Sequence, residues 1–459
     1  MKRHGAIAPA GYQLPRFSLN PSQVVLASFV AFILAGAILL SLPFAHAGAP
    51  HHWIDDLFMA ASAVCVTGLA TLDPGTTYSL FGQLVILLLI QVGGFGYMTL
   101  FTVSMLMVGR RLSMRDRLAL QEAADQPGMM GLMTFFKNIV VFTLTIEGLG
   151  FLLLATSTIP ELGFRRGVYI ALFHAISAFN NAGFSLFSEG AAHWQLHAWP
   201  LLVISGLVII GGLGYNVNQE LVRRYFWRRN EPTRWNTLIV IVLTMTAVLL
   251  VGGTLLFWLF ERNNPETLGL MPWYTQWSNA FFMAVQPRTA GFNSIDVGAM
   301  DRPTLMLFMV LMFIGAGPGG TAGGIKLTTA AVILAGVYSA LRGQSDINLV
   351  GLRRRVSEPV VRKATAVFVL SLSTVVVALV VIASIEPFPF LPLMFEVTSA
   401  FGTVGLSMGI TAHLSDASKL ILVLTMLTGR VGVLAVMLSI FTHRERSRIR
   451  FAEEPLLVG

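Results

Sequence analysis

Charge is what this sequence has least of. Only 12% of its 459 residues are Asp, Glu, Lys or Arg, while 55% are hydrophobic, and a water-soluble globular chain carries about 25% charged residues. No charged residue occurs between Arg16 and Asp55, or between Asp73 and Arg110. About 20 consecutive apolar residues cross a bilayer, so a water-soluble fold is excluded and a polytopic membrane protein is expected. The single cysteine, Cys65, excludes an intrachain disulfide and a thiolate metal cluster, and neither CxxC nor HExxH is present. Without metal-ligand spacing or a converging nucleophile and base, no enzyme chemistry and no covalent cofactor are expected.

What is there is a series of long apolar runs. The first extends from Val24 to Phe44 behind Lys2, Arg3 and Arg16; it lacks a small-residue cleavage site and reads as a helix rather than a removed signal. Further runs cover Leu80 to Val108, Ile139 to Ala155, Pro200 to Asn216, Thr237 to Phe260, Thr304 to Val337, Ala364 to Ile385 and Leu420 to Phe441. Eight spans put both termini on one side of the membrane. Lys and Arg are retained on the cytoplasmic side of short loops, and 22 of the 31 sort to one side, in residues 1–20, at Arg110, Arg111, Arg115 and Arg117, at Arg223, Arg224, Arg228, Arg229 and Arg234, at Arg342, Arg353, Arg354, Arg355, Arg362 and Lys363, and in the tail 444–459. The opposite side holds Arg165, Arg166, Arg262, Arg302 and Lys419. Both termini are therefore expected in the cytoplasm. The formal charge of +8 is mostly topology, with membrane lipid or an acidic partner as its counterpart and no call for nucleic acid.

Between paired spans lie four similar segments: FMAASAVCVTGL from Phe58, FHAISAFNNAGF from Phe173, FFMAVQPRTAGF from Phe281 and FEVTSAFGTVGL from Phe395. Aligning Gly68, Gly183, Gly291 and Gly405 puts a Phe ten residues upstream in all four, and Ser62, Ser177 and Ser399 six upstream in three. The chain therefore reads as all-α, with four helix–pore-loop–helix repeats over 21–112, 130–225, 234–342 and 360–443, making eight spans plus four re-entrant pore helices around a central pseudo-fourfold pore. Non-helical backbone at membrane depth is tolerated only where it lines a polar path. Four such loops around an axis would point carbonyl oxygens inward to replace the hydration shell of a cation, and the short helices would add the negative ends of their dipoles. Each strand of this expected filter is a glycine with the two residues before it: Val66, Thr67 and Gly68; Asn181, Ala182 and Gly183; Thr289, Ala290 and Gly291; Thr403, Val404 and Gly405.

The segments SAVCVTGL, NNAGF, PRTAGFN and GTVGLS, with the later GPGGTAGGIK, resemble the Trk/Ktr/HKT superfamily of potassium transporters. With eight spans and no additional N-terminal pair, the likeness within it is to the transmembrane subunit of the bacterial Ktr systems. The resemblance implies K⁺ uptake, with K⁺ bound at the filter glycines, through one pore per chain. It also implies a homodimer in the bacterial inner membrane and a cytosolic ring of nucleotide-binding RCK subunits. Nucleotide would act only through that separate subunit, because no RCK-type Rossmann pattern is present. Glycine rather than serine at position 68 implies K⁺ over Na⁺, while Na⁺ as an activating ion, a Na⁺-preferring member and Na⁺ or H⁺ coupling stay open.

One span is strongly interrupted, by Gly315, Gly317, Pro318, Gly319, Gly320, Thr321, Gly323 and Gly324 before Lys326. Each Gly costs a helix about 1 kcal/mol and a Pro about 3, so residues 315–326 must be a loop at membrane depth. GAGPGG formally fits GxGxxG, but Ala340 stands where an acid belongs, and Ile325 before Lys326 rules out a P-loop. Family resemblance makes it a gate under the filter, together with Arg430. That arginine sits about 14 residues, or ~21 Å, into the last span, too deep to snorkel, and is expected to face water or a paired acid. Arg288 is expected to brace the filter through Glu396 or Glu147, with proton coupling the sharper alternative for Glu147. Asp73, Asp296, Asp301 and Asp416 are expected near the outer mouth, and His174 and Cys65 as packing residues. A secondary transporter with inverted repeats is disfavoured because all four repeats run in one orientation and one span alone is strongly broken.

Overall fold

The computed structural model describes residues 21–48, 52–96, 132–227, 235–344, 346–349 and 354–440. The expected segments 1–20 and 444–459, and Arg110, Arg111, Arg115, Arg117, Arg228, Arg229, Arg234 and Arg353, lie outside them. The described chain is dominated by helices, with one two-stranded hairpin that pairs β1 (Asn348–Leu349) with β2 (Arg354–Arg355).

Four units follow one plan. The first has α1 (Pro21–Leu40), a short α2 (Trp53–Cys65) and α3 (Leu80–Gly94). The second has α4 (Leu132–Leu162), a short α5 (Phe164–Phe179) and a bent pair, α6 (Ala198–Leu213) and α7 (Tyr215–Val222). In the third, α8 (Thr237–Glu261) and a short α9 (Trp273–Val285) precede α10 (Arg302–Phe313) and α11 (Leu327–Leu341), which a loop divides. The fourth has α12 (Glu358–Ile385), a short α13 (Phe390–Gly402) and a second bent pair, α14 (Asp416–Val431) and α15 (Val433–Ile440).

Local chemistry sets the starts. Asn236 caps α8 by accepting from the Leu238 amide at 3.2 Å, and Ser79 and Ser415 do the same for the Gly82 and Ser418 amides of α3 and α14. Pro303 and Pro359 fall in the first turns of α10 and α12, where a missing N–H is harmless. Large apolar side chains such as Leu34, Val251 and Val380 are exposed on α1, α8 and α12, the faces that a bilayer covers.

Four described helices are long and apolar enough to cross a membrane, and the two bent pairs make six. Of the other two expected spans, Leu80 to Val108 is described only through Gly96, and Thr304 to Val337 is present as α10 and α11 around their loop. The expectation of a single broken span is corrected. The bends at Gly214 and Gly432 are 104° and 103°, so the second span is interrupted in the second, third and fourth units.

Contacts between units close a ring. Each short helix packs against the second helix of the preceding unit: α5 on α3, α9 on α6, α13 on α10, and α2 on α14. The buried core divides accordingly. One cluster comes mainly from the first and fourth units around Phe29, Phe58, Ile86 and Met426, the other from the second and third around Trp194, Ile204, Phe257 and Phe308. Polar pins join the seams. Tyr169 donates to Gln83 Oε1 at 2.9 Å, Asn279 donates to the Gln195 carbonyl at 2.7 Å, and Lys419 lies 2.7 Å from Asp55 in a buried ion pair. Beside that pair, Asp56 accepts from Tyr78 at 2.9 Å and stands 3.1 Å from His46 Nε2. Burial and the Asp56 carboxylate hold the Tyr78 phenol well above its usual range.

Candidate functional site

Three of the short helices end in the same backbone device. The amides of Val66, Asn181 and Thr403 bond carbonyls three residues back at 3.1 Å, and those of Thr67, Ala182 and Val404 bond carbonyls five back at 2.8–2.9 Å. This is a Schellman closure, whose turning residue adopts a left-handed conformation that glycine normally supplies. Here it is Val66 (φ +55°), Asn181 (φ +59°) and Thr403 (φ +50°); with Thr289 (φ +69°) of the third unit they are the non-glycine residues with positive φ among those described. Three of the four are β-branched, and each such placement costs about 1–3 kcal/mol. Gly68, Gly183, Gly291 and Gly405 also have positive φ, which costs glycine little, so the strain lies two residues before each of them.

The glycines themselves interlock. A Cβ built on Gly68 would lie 2.5 Å from the Ala182 oxygen, and one on Gly183 would lie 2.6 Å from the Ala290 oxygen. On Gly291 and Gly405 it would run still closer to the oxygens of Val404 and Thr67. Each glycine thus abuts the carbonyl that precedes the next unit's glycine, and the cycle closes from fourth to first. The twelve expected strand residues are brought together in one ring, with the Thr67, Ala182, Ala290 and Val404 carbonyls packed around it.

Side chains hold the strands from behind. Ser62 and Ser399 accept from the Gly68 and Gly405 amides at 3.0 and 3.1 Å, whereas Ser177 donates to the Phe184 carbonyl at 2.8 Å. The third unit has Val285 at the serine position, and Gln286 reaches from the next residue to accept from the Phe292 amide at 3.1 Å. Above the ring is a cavity of about 300 Å³ whose lining includes Gly68, Gly291, Gly405, Asp296, Ser407 and Thr411. Of the four acids expected near the mouth, Asp296 lines this cavity. Asp73 accepts from the Gly75 amide, and Asp301 and Asp416 stand at the starts of α10 and α14.

Beneath the ring, residues 315–326 fold into a two-armed loop. The Gly315 amide donates to the Ile325 carbonyl at 2.8 Å, and the Leu327 amide to that of Ala316 at 3.1 Å. Its tip lies on the second unit, where the Gly317 and Thr321 amides donate to the carbonyls of Gly212 and Gly211 at 2.9 and 3.3 Å. Thr321 also meets the Asn181 amide group at 3.1 Å, and Gly323 abuts the Thr403 side chain, so the loop touches two of the left-handed residues directly. On the fourth unit, the Gly324 amide donates to the Gly429 carbonyl at 3.2 Å.

Arg430 completes the arrangement. Its Nη1 donates to the Thr321 carbonyl and its Nη2 to the Gly93 carbonyl, linking the loop to the first unit. The expectation of a paired acid is corrected, because its hydrogen-bond partners are backbone oxygens. Lys326 is similarly turned inward, donating from Nζ to the Ala322 carbonyl at 2.5 Å.

One pattern escaped the sequence reading. Gly93–Gly96, Gly211–Gly214, Ala316–Gly319 and Gly429–Gly432 are equivalent small-x-x-Gly segments, 24 to 28 residues after each ring glycine. Gly93, Gly211 and Gly429 each press against a carbonyl near the end of their own short helix, those of Val64, Phe179 and Phe401. Gly96, Gly214, Gly319 and Gly432 all have positive φ. Counting forward from the aligned glycines would have revealed a second fourfold register beneath the first.

The remaining membrane charges find neutral partners. Arg288 Nη2 donates to Thr246 Oγ1 at 3.2 Å, which corrects the expected ion pair with Glu396 or Glu147. Glu147 accepts from Asn180 Nδ2 at 2.8 Å, which ties α4 to the second loop. His174 is wedged among Phe173, Phe187 and Trp194 and bonded to the Ile170 carbonyl and Ser185, and Cys65 is buried; both act in packing.

Residues 10–448 match the TrkH family, described as cation transport protein. The chain is 41% identical over 440 residues to Ktr system potassium uptake protein B of Bacillus subtilis, covering 96% of this chain and 97% of that protein. It is 37% identical over 451 residues to potassium/sodium uptake protein NtpJ of Enterococcus hirae, covering 97% and 98%. Its fold is similar to the crystal structure of the potassium transporter TrkH from Vibrio parahaemolyticus, with a TM-score of 0.70 at 17% identity over 93% of this chain and 86% of that one.

Proposed function

The chain belongs to the TrkH family of cation transport proteins, and from that premise we propose that it carries K⁺ into the cell through the glycine ring. Oxygens of Thr67, Ala182, Ala290 and Val404 would stand in for the water that a K⁺ ion sheds. The C-terminal ends of α2, α5, α9 and α13 add negative dipole, enough to favour a monovalent ion without a fixed charge in the ring. The observation that carries this reading is the closed cycle in which each of Gly68, Gly183, Gly291 and Gly405 leaves room only for the next unit's carbonyl. The potassium uptake named for the B. subtilis relative agrees with it.

The gate of this proposal is the loop Gly315–Lys326 together with Arg430. Held between the Thr321 and Gly93 carbonyls, the guanidinium places positive charge below the ring at low dielectric, where it opposes a descending cation. Opening requires the loop to leave its bonds to Gly211, Gly212 and Gly429. Control would come from a cytosolic RCK-type nucleotide-binding ring, docking on basic residues such as Arg354, Arg355 and Arg362, which are exposed. The Ktr system named for the relative is consistent with a partner subunit. We place two copies of the chain side by side in the cytoplasmic membrane, with both termini inside.

Rubidium uptake into vesicles holding the purified protein tests this, with K⁺ and Na⁺ as competitors. K⁺ should compete at least about tenfold better than Na⁺, equivalent to ~1.4 kcal/mol of preference. Equal or better competition by Na⁺ would reverse the ion assignment, and folded protein that takes up no Rb⁺ would overturn the transport reading.

A further inference from the structure

Glu396 has no role in the pathway described so far. It lies in α13, 1% exposed, behind the fourth loop. Its Oε1 accepts from Ser407 Oγ at 3.1 Å and from Thr411 Oγ1, and these two hydroxyls are 3.0 Å apart. Ser407 Oγ is itself fixed by the Gly409 amide, which donates to it at 2.9 Å. Glu396 Oε2 is fully buried and has no hydrogen-bond partner, and no Lys, Arg or His forms an ion pair with it among the described residues.

Neither charge state of this carboxyl is satisfied by the chain alone. Ionised, it is a buried charge without a counter-ion. Protonated at Oε1, it could donate to a neighbouring hydroxyl, yet Oε2 would still be a buried acceptor that meets no donor. Nor does the fold require an acid there. In the aligned repeats the same position is Met59, His174 and Phe282, and the residue two beyond the ring glycine is Ala70, Ser185 and Asn293. His174 meets Ser185 at 3.0 Å just as Glu396 meets Ser407, but its other nitrogen is satisfied by the Ile170 carbonyl. Apolar side chains serve in the other two units.

The hydroxyls that hold Glu396 line the 300 Å³ cavity above the ring, as does the exposed carboxylate of Asp296. We propose that Glu396, Ser407 and Thr411 form an alkali-cation site at the outer mouth, from which the ion steps into the ring. The donor set is all oxygen, as hard cations prefer, and a single buried negative charge matches a monovalent rather than a divalent ion. Asp296 stays solvated and raises the cation concentration in the mouth. The asymmetry follows from the repeats, because only the fourth pairs an acid with a hydroxyl at these two positions. The inference rests on the K⁺-uptake reading, since it takes the ring as the next stop of the same ion.

Rubidium uptake by the full chain in vesicles, read as separate KM and maximal rate, tests it. Glu396→Gln should raise KM about tenfold with the maximal rate within about twofold, and Thr411→Val should raise KM about threefold. Glu396→Met, which copies the first unit, should fold and show the same rise in KM, and its Tm should rise less on adding Rb⁺ than that of the unaltered protein. An unchanged KM in folded Glu396→Gln and Glu396→Met overturns the site, as does a fall in maximal rate alone. If neither Glu396 variant folds, Thr411→Val decides, because it keeps the carboxylate: an unaltered KM there overturns the site. Absence of Rb⁺ uptake by the unaltered protein is a different result and counts against the uptake reading instead.

Discussion

Val66, Thr289 and Thr403 occupy left-handed backbone that β-branched residues avoid; all three are held there by the ring in front, and Val66 and Thr403 also by the closures behind them. Such strain persists only when the surroundings over-determine it, and it concentrates where geometry has to be precise. The glycine after each pair has no alternative at all. Gly291→Ala, at φ +77° with its new methyl against the Val404 oxygen, should cut Rb⁺ uptake at least tenfold and lower stability by about 1–3 kcal/mol. Gly206→Ala in α6, where nothing lies within 4 Å, should leave both unchanged in the same uptake and thermal-unfolding measurements. Arg430→Ala removes one donor from each of two carbonyls and the positive charge beneath the ring; severalfold faster cation flux is expected, and slower flux would mark the arginine as a structural tie. The ring glycines were readable from their register. The left-handed residues were not, because Val, Asn and Thr advertise nothing of the sort in sequence.

At the scale of elements, the second helix of each unit is where the fold departs from straight spans. Gly214 and Gly432 turn the backbone through about a right angle at φ +91° and +95°, values that other residues rarely adopt. The broken span of the third unit was legible because its glycines and proline are dense. The sparser glycines at the other two bends, Gly211, Gly212 and Gly214 and then Gly429 and Gly432, come without a proline and gave no comparable signal, since glycine is common in membrane helices. The loop between α10 and α11 is pinned by bonds from the Gly317, Thr321 and Gly324 amides to carbonyls of two other units. Deleting Gly319 and Gly320 should pull its tip off Gly211 and Gly212 and raise K⁺ flux in the vesicle assay; flux equal to that of the intact chain would argue that the loop is a fixed plug support, not a gate.

Over the whole molecule, the ring depends on a seam between the first and last units. Asp55 and Lys419, 364 residues apart in the chain, meet there at 2.7 Å in a buried pair. Removing one partner of such a pair strands the other and typically costs about 3–5 kcal/mol. Lys419→Met should therefore lower the midpoint of thermal unfolding markedly, and the double variant Asp55→Asn with Lys419→Met should be more stable than the sum of the single losses. Strictly additive losses would show that the two side chains do not pin the seam.

Membrane residence, the four repeats, the matched glycines and the interrupted third unit were all decided by the sequence alone. The reason is that each depends on local composition or on a fixed count along the chain: apolar runs partition into a bilayer whatever they pack against, and a repeat is visible without being folded. Only the tertiary structure decided which groups satisfy one another. Arg430 finds the carbonyl of Gly93 from 337 residues away, and Arg288 finds Thr246 rather than an acid. Glu396 is left with one carboxylate oxygen facing no partner. Partners in a buried, low-dielectric interior are chosen by proximity after the ring closes, and closure brings together units that the chain order holds about a hundred residues or more apart.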